Sequence, residues 1–259
     1  MEVSPRNNFN FMKTSYILIT GSSSGIGKEM AIYLSKANNI VLHGRDQERL
    51  VKVMSKCDTE FNHKIWTQDL SEIEDIEGSL SQFITSENIE IIGYVHCAGY
   101  MKMLPLKMST AQILTATLNT NIISASLITK VLINKKLNSQ ALKSVVFLSS
   151  NLSNMGAKGM SSYGASKGAI DTLMRCLAVE LAPMVRLNSI LPGAIPTEMT
   201  QAIFNNEEVL TRMIQAYPLG IGEALDICYM AEFLLSTNSK WITGQQFTVD
   251  GGRSINISG

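Results

Sequence analysis

The chain has 259 residues, 45% of them hydrophobic, and its 22 basic and 22 acidic side chains cancel. That balance excludes the basic excess of a nucleic-acid binder and the polar bias of a disordered chain, and the length is enough for one large domain. Four cysteines (Cys57, Cys97, Cys176, Cys228) and three histidines (His43, His63, His96) are scattered, without the clustered spacing of a disulfide framework or a zinc site, so no metal is expected.

Met1 to Ser15 is polar and Asn-rich, with no apolar core of signal-peptide length, and reads as a flexible tail before a single domain over residues 16–259. No run reaches the roughly 18–20 apolar residues of a membrane span. The expectation is a soluble, cytoplasmic protein.

From Tyr16 onward, short apolar runs alternate with helical patterns. The runs are Tyr16–Ile19, Ile40–His43, Lys64–Thr67, Ile91–Val95, Ser144–Ser149, Arg186–Leu191 and Gln246–Val249. Helical stretches follow at Ile26 to Ala37, Gln47 to Lys56 and Ile73 to Ser86. Strand runs without polar alternation, each separated by a helix, predict a parallel sheet covered on both faces. Right-handed crossovers then give a Rossmann-like, doubly wound α/β sheet of seven strands. Asn121 to Asn134 reads NIISASLITKVLIN, apolar on nearly every face, and Tyr163 to Ala182 is rich in small residues. Such helices are buried on both sides. A second subunit, in a homodimer or homotetramer, would cover the outer face; burial under the chain's own loops is the alternative.

Between the first strand and the first helix stands Thr20-Gly-Ser-Ser-Ser-Gly-Ile-Gly27. A helix N-terminus offers free N–H groups and a positive dipole end to a pyrophosphate, and glycine lets backbone approach it. Gly21, Ser23, Ser24, Gly25, Ile26 and Gly27 are therefore candidates for binding a dinucleotide. At the end of the second strand, His43-Gly44-Arg45 stands where an NAD-specific site usually carries an acid. Arg45 can pair with a 2′-phosphate, which favours NADPH over NADH; otherwise it is the solvated start of the next helix. Asp69-Leu70, after the third strand, is placed on the adenine side. Tyr163 and Lys167, in YGASK, share one helix face. A phenol near pKa 10 becomes a useful acid/base when an adjacent ammonium and an oxidised nicotinamide favour its phenolate.

With these motifs in this order, the chain resembles a short-chain dehydrogenase/reductase from Tyr16 to Gly252. The match rests on TGSSSGIG, then HCAG at His96–Gly99, Asn121, Ser150 thirteen residues before Tyr163, Pro192-Gly193 with Ile195 and Thr197, and WITGQQFTVDGG. The resemblance implies that Tyr163 exchanges a proton with the oxygen of a small carbonyl or alcohol substrate and that Ser150 hydrogen-bonds that oxygen. Lys167 would hold the nicotinamide ribose and tune Tyr163, and Asn121 would position a relay water. Ala98 and Gly99 would flank the cofactor, with Pro192, Gly193, Ile195 and Thr197 along the nicotinamide.

Where the family usually has Asn-Asn-Ala-Gly, this chain has His96-Cys97-Ala98-Gly99, and His96 is read as a structural substitute. In pattern the chain is most similar to 3-oxoacyl-acyl-carrier-protein reductases. However, Ala141 (or Gln140) and Met184 stand where those carry arginines for the carrier protein, and Ile221 replaces the arginine of their Leu-Gly-Arg. A reductase of a sugar or another secondary metabolite is the alternative, and a catalytically silent cofactor-binding scaffold is the non-enzymatic one. The substrate pocket is expected between Leu152–Met160, the loop after Gly99 and the segment Thr197–Glu208.

Overall fold

The structure, a computed structural model, describes residues 15–256, apart from the side chains at 202, 203 and 209. The expected tail thus lies outside the described residues except for Ser15, which opens the first strand. Strands β1 (Ser15–Thr20), β2 (Asn39–Gly44), β3 (Lys64–Thr67), β4 (Glu90–His96), β5 (Ser144–Leu148), β6 (Arg186–Pro192) and β7 (Gln246–Val249) form one sheet. Its order is β3-β2-β1-β4-β5-β6-β7 and all pairings are parallel, so the strand order reverses between β1 and β4. In such sheets the crevice at the carboxyl ends beside the reversal is the binding position.

Helices α1 (Gly25–Leu34), α2 (Gln47–Met54), α3 (Ile73–Glu87), α4 (Ala111–Leu118), α5 (Ser124–Leu132), α6 (Lys135–Asn138), α7 (Ser161–Glu180), α8 (Gln201–Phe204), α9 (Glu207–Ala216) and α10 (Ala224–Leu235) complete the described fold. Successive strand side chains point to opposite faces. Along β1, Tyr16 and Leu18 join one core with Ile76 and Leu80 of α3, Ile128 of α5 and Ile170 of α7. Ile17 and Ile19 join the other, with Met30 of α1, Leu50 of α2 and Ile227 of α10. Each fully buried aliphatic chain contributes about 1.5–3 kcal/mol relative to exposure. No described helix is long and apolar enough to cross a membrane.

Several boundaries differ from the sequence expectation. Helix α1 stops at Leu34, short of Ala37, because the Ser35 hydroxyl donates to the Ile32 carbonyl (2.7 Å) and the Asn38 amide to that of Leu34 (2.9 Å). Helix α2 stops at Met54, where the Ser55 hydroxyl turns back to the Lys52 carbonyl. The apolar helix expected from Asn121 begins ten residues earlier, at Ala111, where the Thr110 hydroxyl accepts from Ile113 N–H. Between α4 and α5 the backbone widens into a π-helical turn, Asn119–Ile123, which carries Asn121. Such turns interrupt the side-chain register of a helix and are frequent at functional sites.

Candidate active site

The glycine-rich loop joins β1 to α1 in a conformation few side chains would permit. Gly21 has φ +67°, and a Cβ there would lie 2.7 Å from the Ala98 Cα. Ser24 precedes α1 without a side-chain cap, and the first turn has no acidic residue, so neither a side-chain cap nor a first-turn carboxylate competes for an anion at this helix end. The loop is tied to the neighbouring strand ends. His43 Nδ1 accepts from Gly21 N–H at 3.4 Å, its Nε2 lies 3.1 Å from the Gln68 carbonyl, and Ser22 Oγ donates to the His43 carbonyl. This arrangement suits a neutral ring, and burial lowers the His43 pKa to about 4.

At the edge of β2, Arg45 Nη1 lies 3.7 Å from Asp69 Oδ2, with the Arg45 side chain 78% exposed. Burial opposes ionisation of Asp69, but Ser71 donates to it from both N–H and Oγ, and with Arg45 this holds its carboxyl below the usual range. One turn along α2, Arg49 pairs with Glu198 at 2.6 Å, joining the rim of the cleft to the loop after β6. That loop is pinned by Thr200, whose Oγ donates to the Ile195 carbonyl (2.6 Å) and accepts from Thr197 N–H (3.0 Å).

The end of β5 and the start of α7 bring Ser150, Tyr163 and Lys167 together. Lys167 is 3% exposed; its Nζ donates to the Leu148 carbonyl at 2.7 Å and lies 5.5 Å from the Tyr163 ring centroid. Burial lowers the Lys167 pKa to about 8, with Asp171 pulling the other way. Burial raises Tyr163 to about 12, opposed by a hydrogen bond with Ser150. The expected lowering needs an oxidised nicotinamide beside Lys167; in the protein by itself burial prevails. The ammonium is spent on a carbonyl, and desolvation of the ring outweighs it. Asn121, fully buried, accepts from Tyr100 N–H (2.6 Å) and donates to the Tyr100 carbonyl (3.0 Å) and Ser166 Oγ (2.9 Å).

One cleft of about 640 Å³ gathers these groups. Of the residues singled out in the sequence, Gly21, Ser23, Ser24, Gly25, Ile26, Gly27, Arg45, Asp69, Leu70, Ala98, Gly99, Ser150, Tyr163, Lys167, Pro192, Gly193, Ile195 and Thr197 all line it. Asn121 does not; it sits behind the wall and holds the loop after Gly99. His96 is also away from the lining, its Nδ1 within 2.7 Å of Tyr94 Oη and 3.0 Å of Thr20 Oγ1, bracing β4 against β1 as a structural residue would. The expected contribution of Leu152–Met160 is corrected: none of it lines this cleft, and Gln112, Ile113 and Ala116 of α4 do so instead. Arg49 and Gln68 also line it and were not singled out in the sequence, whereas Tyr100 and Lys102 belong to the loop after Gly99 that was expected to bound the pocket. Arg49 had a usable signal, four residues after Arg45 at the start of a helix.

Gly21, Gly25 and Gly27 of the loop, the uncapped helix end and the four cations Arg45, Arg49, Lys102 and Lys167 suit a dinucleotide carrying phosphates. Comparison with known proteins agrees. A family model described as enoyl-(acyl carrier protein) reductase matches residues 21–254. An uncharacterized oxidoreductase of Mycobacterium tuberculosis (strain CDC 1551 / Oshkosh) is 37% identical over 110 residues, a match that spans 42% of this chain and 42% of that one. L-xylulose reductase of Caenorhabditis elegans is 29% identical over 245 residues, covering 93% of this chain and 96% of that protein. The solved structure of a 4-hydroxyisoleucine dehydrogenase mutant complexed with NADH and succinate superposes with TM-score 0.86 at 26% identity, covering 93% of this chain and 99% of the other. The chain belongs to the short-chain dehydrogenase/reductase family.

Proposed function

We propose that this protein is an NADPH-dependent oxidoreductase that interconverts a small carbonyl compound and its secondary alcohol. The observation that carries the reading is the convergence of Ser150, just past the end of β5, with Tyr163 and Lys167 from α7 in one cleft. A bound nicotinamide supplies or accepts the hydride at carbon. The Tyr163 hydroxyl gives a proton to the carbonyl oxygen, or takes one from the alcohol, so hydride and proton together balance the reaction. Ser150 hydrogen-bonds the same oxygen as its charge changes. Lys167 holds the ribose and, with the charge of the oxidised ring, draws the phenol down from its buried value. Asn121 fixes the Gly99–Tyr100 loop from behind the cleft wall. Arg45 receives the 2′-phosphate, which sets the preference for NADPH.

The substrate is a small molecule, in keeping with the sugar reductase matched along nearly the whole chain. An acyl-carrier-protein substrate has less support, since Met184, where a carrier-gripping cation is expected, is an exposed apolar side chain. The chain works in the cytoplasm, in keeping with its four free thiols. It assembles as a dimer or tetramer through α7 and the helical run of α4 and α5; the expected outer face at Asn121–Asn134 exposes no large apolar side chain, and the exposed ones are Leu114 and Leu118 of α4 with Val179 of α7. Tyr163→Phe tests the chemistry. It removes one hydroxyl and should leave cofactor binding near the parent value, while turnover falls roughly 100- to 10,000-fold. Turnover at the parent rate would reject Tyr163 as the acid/base.

A further inference from the structure

Beneath the cleft lies a buried carboxylate with no part in the steps above. Asp171 is 1% exposed and sits one helical turn beyond Lys167 on α7. Its Oδ2 accepts from Ser149 Oγ at 2.8 Å, while its Oδ1 has no partner among the described residues. Ser149 Oγ also lies 3.1 Å from the Lys167 carbonyl, and Ser149 N–H donates to the Ile190 carbonyl of β6. Ser149 stands between Leu148, whose carbonyl takes the Lys167 ammonium, and Ser150. The end of β5 is thus fastened to α7 twice in succession, by Lys167 to Leu148 and by Ser149 to Asp171.

A buried carboxylate with one oxygen unpartnered carries a desolvation cost that a neutral side chain would avoid. What it gains here is a neighbouring cation. The titratable groups that face Lys167 are Tyr163 and Asp171 on its own helix, with His96 and Cys97 at the end of β4. Burial keeps the His96 ring and the Cys97 thiol neutral near pH 7. Asp171 carries the one carboxyl group in that set.

We propose that Asp171 and Ser149 are positioning residues for the reaction: Asp171 is the counter-charge of the Lys167 ammonium, and the Ser149–Asp171 bond fixes the strand end that presents Ser150. The inference rests on the functional reading above, but it has a readout independent of turnover. Direct binding of NADPH, or of NADH if that binds more tightly, is followed by fluorescence from pH 6 to 10 and reports the charge on Lys167.

Asp171→Asn keeps the shape and an oxygen for Ser149 while removing the charge. It should move the midpoint of the binding profile to lower pH by roughly one unit or more. Ser149→Ala should leave that midpoint in place and lower kcat roughly tenfold with little change in the KM for cofactor, by loosening Ser150. Should Asp171→Asn not fold, the smaller neutral Asp171→Ser carries the same expectation. An unmoved midpoint in the folded variant overturns the role of Asp171, and parent kcat in Ser149→Ala overturns that of Ser149. Parent-rate turnover in Tyr163→Phe defeats the functional reading alone, whereas failure of the parent to bind either cofactor defeats both.

Discussion

Arg45 Nη1 and Asp69 Oδ2 stand 3.7 Å apart across the ends of β2 and β3, and the arginine is mostly exposed. A pair so open to water contributes little to stability, so it leaves the guanidinium available to a stronger acceptor. A 2′-phosphate is such an acceptor, and a charge-assisted bond to it contributes about 1.5–3 kcal/mol. NADPH should therefore bind about 10- to 100-fold more tightly than NADH by fluorescence titration, and Arg45→Ala should erase most of the difference. Equal affinities in the parent protein would refute the assignment.

Cofactor affinity should depend on pH through Lys167. Burial sets its pKa at about 8, below the ordinary 10.5, so the ammonium is present below that pH and lost above it. Dissociation constants for NADPH measured from pH 6 to 10 should rise once pH passes about 8, and Lys167→Met should abolish the dependence. A flat profile in the parent would show that the ammonium does not contact the cofactor.

Acid should destabilise the fold through two histidines. Burial lowers His43 to about 4, and burial followed by the Lys167 charge lowers His96 to about 3, against 6.5 for a free imidazole. Both rings are folded neutral, so their contribution is whole above pH 6.5 and is lost as pH falls toward those values. Each steepens the loss by up to about 1.4 kcal/mol per pH unit. Urea denaturation between pH 7 and 4 should show the slope, and His96→Asn should flatten it. An unchanged slope would mean that His96 is accessible to protons in the folded state.

The exposed apolar side chains of α4 and α7 should be covered in solution. Light scattering at micromolar concentration should report a dimer or tetramer, and Leu114→Lys with Leu118→Lys should shift it toward smaller species. A monomeric parent would show that these faces stay in water.

How much of this was legible beforehand follows the range of the forces involved. All seven strands are legible because each is a short apolar run whose burial on both faces leaves no polar alternation, and the turn chemistry of Thr20–Gly27 marks where β1 hands over to α1. Ser150, Tyr163 and Lys167 are legible from spacing and motif order, and the fold does bring them into one cleft. The sequence by itself thus determined the class of fold, which local periodicity settles, the family, which the order of its motifs marks by resemblance, and the glycine-rich turn after β1, which backbone sterics require.

The tertiary structure decided what depends on contacts between distant segments. It set which strands are neighbours, that Asn121 spends its amide on Tyr100 and Ser166 behind the cleft wall, and that α4 replaces Leu152–Met160 in the lining. It also set the burial that raises Tyr163 in the protein by itself, since desolvation depends on everything packed around a ring while an i,i+4 spacing names only one neighbour. The pairing of Arg49 with Glu198, 149 positions apart in the chain, has no local signature because it exists only once β6 has carried its loop across the sheet to α2.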